Sequence, residues 1–592
     1  MNNKHPALAL RLKPWRANFV LGLFGLALTG LLARAAWLAS VDNEFLQAES
    51  QRRVQTAVDI PAHRGQIVDR NGAPLAVSVQ MTSIAVDPRN VNINPQRRAE
   101  LAKALEVPLE RLDAQLDDRS RGFVYLRRQL TPEHARRVRE LRIRGLVYES
   151  DFRRFYPAGE EAGHLVGFTG REGRRNDAGR AGVERVFDDA LGGIDGRRFG
   201  LRDSGGRIVD DAGNMLPPRH GSDLTLAMDR ELQYIAYREL KKAVTHHKAS
   251  GGGIVMLDVR SGEVVAMANY PGYNPNSDER ADPDRTRNRT AIDLFEPGST
   301  MKAFTTAIAL EEGVVKPDTP IEIGDGTFRI GKHVIRDTHP DARVMTVAQV
   351  MQKSSNVGSI RMALQTPRSR HWEYLRQFGF GSTPGTGFPG EVSGQLRPWQ
   401  NWQPVDQVTL SYGHGVAVSL LQLARAYLPF ARDGDIIPVS LLRTDTPPQG
   451  QRVVSPETAR QVREMLESVT QPGGTATRAA LPAYRTAGKT GTARKIRAEG
   501  GYHPNRYIGS FVGFAPVSQP RYLIAVMIDD PRSGGFYGGL VAAPVFGAVM
   551  GEALRLNGVP PDAAPPVWAT RPRQPGADTL AQASAEPVGV NR

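Results

Sequence analysis

An apolar run near the N-terminus places the strongest constraint on how this chain folds. Residues 19–39 are interrupted by a single charge, Arg34, and the run has about the 20 residues that a helix needs to cross a bilayer. Basic residues precede it at positions 4, 11, 13 and 16, and acidic residues follow it at positions 42, 44 and 49. This asymmetry predicts a cytoplasmic N-terminus and export of the chain beyond residue 40.

A cleaved signal peptide is the alternative interpretation of this segment, because Ala33–Ala35 resembles a small-residue cleavage site. The apolar run continues through Trp37 and Leu38, which favours an uncleaved anchor. We therefore predict a cytoplasmic segment at 1–18, a transmembrane anchor at 19–40 and a soluble extracytoplasmic body after the anchor.

Length and composition narrow the chemistry of that body. The chain of 592 residues is too long for one ordinary core, so two or more domains are expected. It has no cysteine, which excludes disulfides, iron–sulfur clusters, thiolate zinc sites and cysteine nucleophiles. Its 76 basic and 62 acidic residues give a net charge of +14. This charge favours an anionic glycan or lipid headgroup as a partner over nucleic acid, for which we find no binding motif.

Local patterns predict a mixed α+β region at residues 41–220. Residues 41–60 are polar with helical character and predict a stalk, whereas Asn71-Gly72 predicts a hairpin at 66–77. Glycine and arginine crowd residues 170–220, which predicts a loop-rich, extended zone. Residues 95–145 have helical periodicity, with four leucines on roughly one face: Leu101, Leu105, Leu109 and Leu112.

Residues 221–558 predict a compact α/β domain. Its predicted elements are a helix at 230–246, an antiparallel pair of strands at 254–257 and 264–267, two further strands at 508–514 and 522–528, and a closing helix at 543–556. The remaining residues, 559–592, are rich in proline and alanine and predict a disordered tail.

The segment EPGSTMK, at residues 296–302, contains the first candidates for chemistry. Pro297-Gly298 ends a loop, and Ser299 begins a predicted helix that runs to Glu312. The i, i+3 spacing puts Ser299 and Lys302 on one face, where a desolvated lysine can lose its proton and activate the serine. The free N–H groups at a helix start also stabilise a developing oxyanion. Alone, so short a motif is weak.

A second polar motif, KSSNVG, lies at residues 353–358. A serine and an asparagine two positions apart can face one cleft from a loop. The hydroxyl of Ser354 is then a candidate proton relay, and the amide of Asn356 is a candidate ligand for a substrate carbonyl. Taken alone, this segment is equally typical of an ordinary turn or cap.

A third motif, AGKTGTA, at residues 487–493, predicts an edge strand that binds substrate. Lys489 can neutralise a substrate carboxylate and lower the pKa of the lysine in the first motif. Thr490 and Thr492 can bind the same carboxylate, and the Thr492 N–H can complete an oxyanion hole. Gly491 leaves room for close approach of a substrate backbone. The segment lacks the spacing of a phosphate-binding loop.

The order of these motifs, S-x-x-K, S-x-N and K-T-G, resembles the signature of serine penicillin-recognising enzymes. The chain is similar to class B penicillin-binding proteins and, among them, to the septal peptidoglycan D,D-transpeptidases of Gram-negative bacteria (FtsI type). The resemblance implies an α/β transpeptidase domain of the penicillin-binding and serine β-lactamase-like fold, an antiparallel sheet with helices. An elongated mixed α+β pedestal and one N-terminal transmembrane helix would precede that domain.

Segments of the predicted pedestal carry the same resemblance. They are RGQIVDRNG at 64–72, RFYP at 154–157, GHLVG at 163–167 and GVER at 182–185. In such proteins these segments pack together, so we expect an ion pair between Arg64 and Glu184. The residues of these segments are expected to have a structural role and not a catalytic one.

The resemblance implies acyl transfer on peptidoglycan stem peptides that end in D-Ala-D-Ala. Lys302 would deprotonate Ser299, which attacks the penultimate D-Ala. Ser354 would relay a proton to the leaving D-Ala, and Asn356 would orient the stem peptide. Residues 489–492 would hold the terminal carboxylate. An amine of a neighbouring stem would then resolve the acyl-enzyme, β-lactams would acylate the same serine, and neither a metal nor another cofactor is implied.

The resemblance also implies a location and partners. The chain would be a single-pass protein of the inner membrane, with most of its length in the periplasm. Its anchor would meet an FtsW-type glycosyltransferase and small single-pass division proteins. Asn356 and the Glu296-Pro297-Gly298 sequence follow the septal pattern and not the elongation pattern. His414 departs from it, since septal enzymes often carry Tyr there, and we interpret it as a tolerated loop change, solvated or packed.

Other functions remain open from the sequence. Within enzymes, they are an elongation-type transpeptidase, or a D,D-carboxypeptidase if water and not an amine resolves the acyl-enzyme. A different class is a non-catalytic division scaffold or a β-lactam sensor, in which the motifs bind without turnover. A bifunctional class A enzyme is disfavoured, because no acidic glycosyltransferase motif precedes the transpeptidase segment.

Overall fold

The computed structural model describes most of the chain after the first segment. The described residues are 14–40, 55–172, 175–202, 208–277, 282–331, 333–338, 342–497 and 499–563. The prediction for most of the cytoplasmic segment, for the stalk between residues 41 and 54 and for the tail beyond residue 563 therefore falls outside the described residues.

The strands are β1 (Gln55–Ile60), β2 (Ile67–Val68), β3 (Pro74–Val86), β4 (Val124–Leu130), β5 (Leu146–Phe155), β6 (Thr169–Glu172), β7 (Arg175–Gly179), β8 (Gly196–Arg202), β9 (Ile208–Leu216), β10 (Leu224–Thr225), β11 (Gly251–Asp258), β12 (Val264–Tyr270), β13 (Pro320–Glu322), β14 (Thr327–Ile330), β15 (His333–Arg336), β16 (Val344–Thr346), β17 (Asp435–Ile436), β18 (Gln451–Arg452), β19 (Ala487–Ile496), β20 (Tyr502–Ala515) and β21 (Tyr522–Asp529).

The α-helices are α1 (Pro14–Ser40), α2 (Pro95–Leu105), α3 (Leu109–Asp117), α4 (Pro132–Glu140), α5 (Gly159–Val166), α6 (Gly182–Val186), α7 (Asp188–Gly192), α8 (Arg230–His246), α9 (Pro283–Thr286), α10 (Arg289–Ile292), α11 (Lys302–Glu311), α12 (Val347–Lys353), α13 (Asn356–Ala363), α14 (Arg368–Gln377), α15 (Pro404–Leu410), α16 (Leu420–Ala431), α17 (Pro456–Ser468), α18 (Gly538–Val541) and α19 (Ala543–Leu556). Short 3₁₀ helices are Gly298–Met301, Trp399–Asn401 and Thr477–Ala479.

The chain divides into two compact units. One contains residues 1–62 and 193–220, and the other contains residues 63–192 and the chain from Gly221 onward. The second unit thus joins most of the predicted pedestal to the predicted transpeptidase domain. The domain boundaries at 41–220 and 221–558 stay predictions.

The first unit contains α1 and a small antiparallel sheet in the order β1-β8-β9. Within α1, residues 14–38 are long and apolar enough to cross a membrane. Its large apolar side chains are exposed along its length, which agrees with the predicted anchor. The helical prediction is wrong for residues 55–60, which form β1, because they pair with β8 in a register that puts Gln55 opposite Leu201.

A five-stranded sheet lies before residue 226 in the second unit, in the order β10-β2-β3-β4, with β5 also paired to β3. The predicted hairpin is confirmed, since β2 and β3 pair with Ile67 opposite Ala76. The helical stretches predicted for residues 95–145 are confirmed as α2, α3 and α4, but the four leucines do not share one buried face. Helix α2 ends at Leu105 and is followed by Glu106, whose φ is 53°, and Leu109, at the start of α3, is exposed. The strand β4 in the same region was not predicted.

The expected Arg64–Glu184 ion pair is present and belongs to a buried cluster. Nη2 of Arg64 lies 2.6 Å from Oε2 of Glu184, and Nε of Arg154 lies 2.7 Å from Oε1 of the same carboxylate. Arg64 also pairs with Asp188, at 2.7 Å. The cluster joins β5 and α6 to the segment before β2, as the resemblance of these motifs predicted.

The main sheet of the second unit is antiparallel, in the order β12-β11-β21-β20-β19. Strands and helices predicted for this region are confirmed, including α8 and α19. Every residue of β11 and β21 is buried, because α8, α16 and α19 pack against the sheet. Residues 559–563, predicted within the disordered tail, instead pack on this domain, where the Tyr484 hydroxyl donates to the Val559 carbonyl at 2.8 Å.

Candidate active site

The segment around Ser299 lies between the turn at Gly413 and the edge strand β19. Gly298 has a φ of 57°, and its N–H donates to the Gly413 carbonyl at 3.1 Å. A Cβ on Gly298 would lie 2.9 Å from the Thr492 carbonyl oxygen, so only glycine fits there. Ser299 follows in a 3₁₀ turn that leads directly into α11, and it is partly exposed. The nucleophile candidate is therefore partly exposed on a segment that packs closely against the edge strand.

Lys302, at the start of α11, is fully buried behind the serine. Its Nζ lies 2.5 Å from the Ser354 carbonyl oxygen, 3.1 Å from Ser354 Oγ and 2.7 Å from Asn356 Oδ1. Burial lowers the pKa of Lys302 to about 7, and the charge of Asp337 opposes that shift. The first two motifs therefore converge, and their lysine has the pKa of a base that works near neutral pH.

The contacts of Ser354 and Asn356 come from a tight link between two helices. Ser354 ends α12 with a φ of 59°, an unusual left-handed conformation for a serine. Ser355 then caps α13, where its hydroxyl accepts from the Gly358 N–H. This turn directs both the carbonyl and the hydroxyl of Ser354 towards the lysine. A left-handed residue held in place by two caps is typical of a functional site.

The third motif forms β19, which lies at the end of the main sheet as predicted. Lys489 is fully buried, and burial together with the charge of Lys302 lowers its pKa well below the usual value. The sequence predicted that Lys489 lowers the pKa of Lys302. In the structure, the cause that lowers the pKa of Lys302 is its own burial.

The structure shows a close contact of Gly491 with the segment that carries the serine, whereas the sequence predicted its contact with a substrate backbone. A Cβ there would lie 2.6 Å from the Pro297 carbonyl oxygen and 3.0 Å from Thr300 Cγ2. The glycine therefore lets β19 pack closely against the segment that carries the serine. Its predicted contact with a substrate backbone stays a prediction.

A cleft of about 770 Å³ joins the three motifs. Five of the predicted site residues line it: Ser299, Ser354, Asn356, Thr490 and Thr492. The two lysines lie buried behind its wall. The Thr492 hydroxyl accepts from the Gly538 N–H at 3.1 Å, and the Thr490 and Thr475 hydroxyls are 3.0 Å apart. The cleft thus combines a partly exposed hydroxyl, two buried amines and several hydroxyl ligands.

His414, interpreted from the sequence as a loop change, contacts a buried carboxylate. Its Nδ1 lies 2.7 Å from Oε2 of Glu296, and the Tyr502 hydroxyl lies 3.0 Å from each oxygen of that carboxylate. The Gly415 N–H donates to the same group at 2.8 Å. Glu296 immediately precedes Pro297, so this cluster anchors the loop before the nucleophile candidate. His414 also lines the cleft.

Asp337 is the residue of this site that sequence reasoning missed. It follows β15 and accepts from Ser355 Oγ at 2.6 Å and from the backbone N–H groups of Asn356 and Val357 at 2.5 and 3.1 Å. It belongs to none of the three motifs, and a lone aspartate after a short strand gives no local signal. Only the fold brings it to the second motif.

The chain matches two families of protein domain. Residues 252–551 match the penicillin-binding protein transpeptidase domain, and residues 59–226 match the penicillin-binding protein dimerisation domain. The peptidoglycan D,D-transpeptidase FtsI of Escherichia coli is 40% identical over 556 residues, which cover 93% of each chain. The probable peptidoglycan D,D-transpeptidase PenA of Neisseria meningitidis is 40% identical over 550 residues, 92% of this chain and 93% of the relative.

Solved structures agree with these matches. A peptidoglycan synthetase from Bifidobacterium adolescentis superposes with a TM-score of 0.70 at 25% identity, over 86% of this chain and 98% of that one. The transpeptidase domain of penicillin-binding protein 3 from Burkholderia pseudomallei has a TM-score of 0.53 at 44% identity, over 57% of this chain and 98% of that domain. The chain therefore belongs to the class B penicillin-binding proteins, the D,D-transpeptidases of the FtsI and PenA type.

Proposed function

We propose that this protein cross-links peptidoglycan stem peptides at the division septum through an acyl-enzyme on Ser299. The observation that carries the proposal is that Lys302, three residues after the partly exposed Ser299, is a buried lysine whose burial lowers its pKa to about 7. A lysine that has a substantial neutral fraction near pH 7 can act as the activating base that a serine nucleophile needs. The convergence of all three motifs on one cleft supports the same chemistry.

In the first half-reaction, the neutral amine of Lys302 takes the proton of Ser299 Oγ. The amine keeps two N–H donors for Ser354 and Asn356, and its lone pair accepts the proton. The serine oxygen attacks the carbonyl carbon of the penultimate D-Ala, and the N–H groups of Ser299 and Thr492 hold the resulting oxyanion.

Collapse of that intermediate breaks the D-Ala–D-Ala amide. Ser354 carries the proton from Lys302 to the leaving D-Ala nitrogen, and Ser299 is left as an ester of the stem peptide. The 3.1 Å separation between Ser354 Oγ and the lysine Nζ supports this relay. In the second half-reaction, an amine from a neighbouring stem attacks the ester, passes its proton back through the same groups and regenerates the serine.

Residues of β19 would bind the terminal D-Ala carboxylate of the stem peptide. Thr490 and Thr492 offer hydroxyls in the cleft, and Lys489 supplies positive charge from behind the wall. A bound carboxylate would raise the pKa of Lys489, since an opposite charge favours the protonated amine. β-Lactams present a carboxylate and a strained amide in the same relation, so they would acylate Ser299 and inhibit the enzyme.

The septal role and the membrane partners extend the proposal. The septal pattern at Asn356 and at 296–298 and the similarity to FtsI of E. coli support division over elongation. The basic residues before α1 favour a cytoplasmic N-terminus and a periplasmic body in the inner membrane. The exposed apolar side chains of α1 would meet an FtsW-type glycosyltransferase and other division proteins.

Turnover of a stem-peptide thioester tests the reaction class. The full chain in detergent is given the thioester with and without a D-amino acid acceptor, beside the Ser299→Ala variant. We expect product in which the acyl group is joined to the acceptor amine, and none from the variant. Hydrolysis alone would indicate a carboxypeptidase, and no turnover by a folded protein would indicate a scaffold or sensor. A fluorescent fusion at midcell, and not along the lateral wall, is expected for the septal role.

A further inference from the structure

The hairpin of β14 and β15 has two different faces. In its antiparallel register Phe328 lies opposite Ile335, and Arg329 lies opposite Val334. Successive side chains of a strand point to opposite sides, so each of these pairs occupies its own face. Phe328 is partly buried and packs against the main core, whereas Arg329 and Val334 are exposed. The exposed side, which we call the hairpin face, contains Thr327, Arg329, Val334 and Arg336.

Two positive charges lie close together on the hairpin face. Arg336 stands two positions beyond Val334, so it is the diagonal neighbour of Arg329, at about 7–8 Å, and the two charges repel. Among the described residues, no carboxylate pairs with either guanidinium. The carboxylates that flank the hairpin have other contacts, since Asp325 accepts from a backbone N–H within the hairpin and Asp337 accepts from residues 355–357. A bound anion would therefore stabilise this face.

The hairpin leads directly into the wall of the cleft. The Arg336 carbonyl accepts from Asn356 Nδ2 at 2.9 Å, and Thr338, two residues further on, lines the cleft. Among the described residues, no carboxylate lines the cleft and three basic residues do: Lys353, Arg478 and Arg494. The positive charge of the cleft thus continues outwards onto the hairpin face, and a ligand with more than one carboxylate fits this surface.

We propose that the hairpin face binds the uncross-linked peptidoglycan strand whose stem peptides enter the cleft, through carboxylates that those stems carry besides the terminal one. This inference rests on the proposed transpeptidation and assigns a binding surface to its polymeric substrate. Charge complementarity supports the strand, because neighbouring stems on one glycan chain present several carboxylates in succession. Continuity with the cleft favours the strand over a lipid surface, since a stem of five residues spans at most about 18 Å and keeps its own strand near the cleft.

The test is the affinity of the full chain in detergent for uncross-linked peptidoglycan strands with pentapeptide stems, measured by fluorescence anisotropy of a labelled strand. All proteins carry Ser299→Ala, so that the strand is bound and not consumed. Combining Arg329→Gln with Arg336→Gln should raise the Kd roughly tenfold, the joint effect of two exposed charge contacts, and should make the Kd less dependent on salt. With strands whose carboxylates are amidated, the two proteins should bind equally.

Arg111→Gln combined with Arg555→Gln is the matched control, because both arginines are exposed, neither has a carboxylate partner among the described residues, and the change in charge is the same. Its Kd should equal that of the parent. An unchanged Kd in the hairpin variant, or an equal rise in the control, would overturn the inference. So would loss of binding to phosphatidylglycerol vesicles with full affinity for the strand, which would assign the hairpin face to lipid.

Acylation by benzylpenicillin of the same variants with Ser299 restored checks that each has a folded site. It also tests the proposed function separately, since absence of an adduct on the wild type would overturn that function whatever the affinity for the strand.

Discussion

Replacing Lys302 with alanine is expected to slow acylation by benzylpenicillin roughly 10²–10⁴-fold, the usual contribution of a general base. The amine of Lys302 is buried, and Ser354 and Asn356 accept hydrogen bonds from it at 2.5 to 3.1 Å. Among the described residues, no histidine or carboxylate lines the cleft as a replacement base except His414, which is engaged with Glu296. The measurement is the second-order rate constant, obtained from the time course of adduct formation by mass spectrometry.

The pH dependence of the wild type tests the same residue without a substitution. Burial lowers the pKa of Lys302 to about 7, and only the neutral amine accepts the serine proton. As the pH falls below that value the ammonium form dominates, so the rate constant should drop about tenfold per pH unit. A rate constant that is flat from about pH 5 to pH 8 would contradict Lys302 as the base.

Lys316→Ala is the matched control for Lys302→Ala, because Lys316 is exposed in the loop after α11. Its rate constant should stay close to that of the wild type. If Lys302→Ala acylates as fast as this control while circular dichroism shows both to be folded, another group activates the serine and the mechanism is wrong.

Replacing Glu184 with alanine is expected to lower the free energy of unfolding of the second unit by about 3–5 kcal/mol, the usual cost of breaking a buried ion pair. The carboxylate binds two guanidinium groups, those of Arg64 at 2.6 Å and Arg154 at 2.7 Å, and its side chain has no exposure. Arg64 would keep Asp188, but Arg154 would lose the one carboxylate paired with it among the described residues.

Urea unfolding followed by circular dichroism and by limited proteolysis measures this effect. Glu172→Ala is the control, because the Glu172 carboxylate is exposed and lies 3.4 Å from an exposed Arg180, a pair worth at most about 1 kcal/mol. Equal unfolding midpoints for Glu184→Ala and Glu172→Ala would show that the buried ion-pair cluster does not stabilise the second unit.

The sequence predicted the parts of the site that lie close together along the chain. Ser299 and Lys302 are three residues apart, so the helical i, i+3 spacing predicted that they share one face. Resemblance to a known family, and not local spacing, brought Asn356 and Lys489 to the same cleft and predicted the Arg64–Glu184 pair. The edge position of β19 and the helix at 543–556 followed from composition and periodicity.

What the sequence did not predict depends on contacts between distant segments. Residues 55–60 end the segment 41–60 for which a helical stalk was predicted, but a strand more than a hundred residues later pairs with them. The predicted common face of the four leucines at 101–112 fails because α2 stops before Glu106, whose left-handed backbone a glutamate rarely adopts. Asp337 could not be predicted as a site residue, since its hydrogen-bond partners belong to another segment. In each of these places the structure depends on contacts that the local sequence pattern does not show.

Intact-mass spectrometry of the full chain after incubation with benzylpenicillin, beside Ser299→Ala, tests directly whether Ser299 forms the acyl-enzyme. We expect a single covalent adduct on the wild type and none on the variant, because Ser299 is the proposed nucleophile and lines the cleft. An equal adduct on Ser299→Ala, or no adduct on a wild type that circular dichroism shows to be folded, would contradict it.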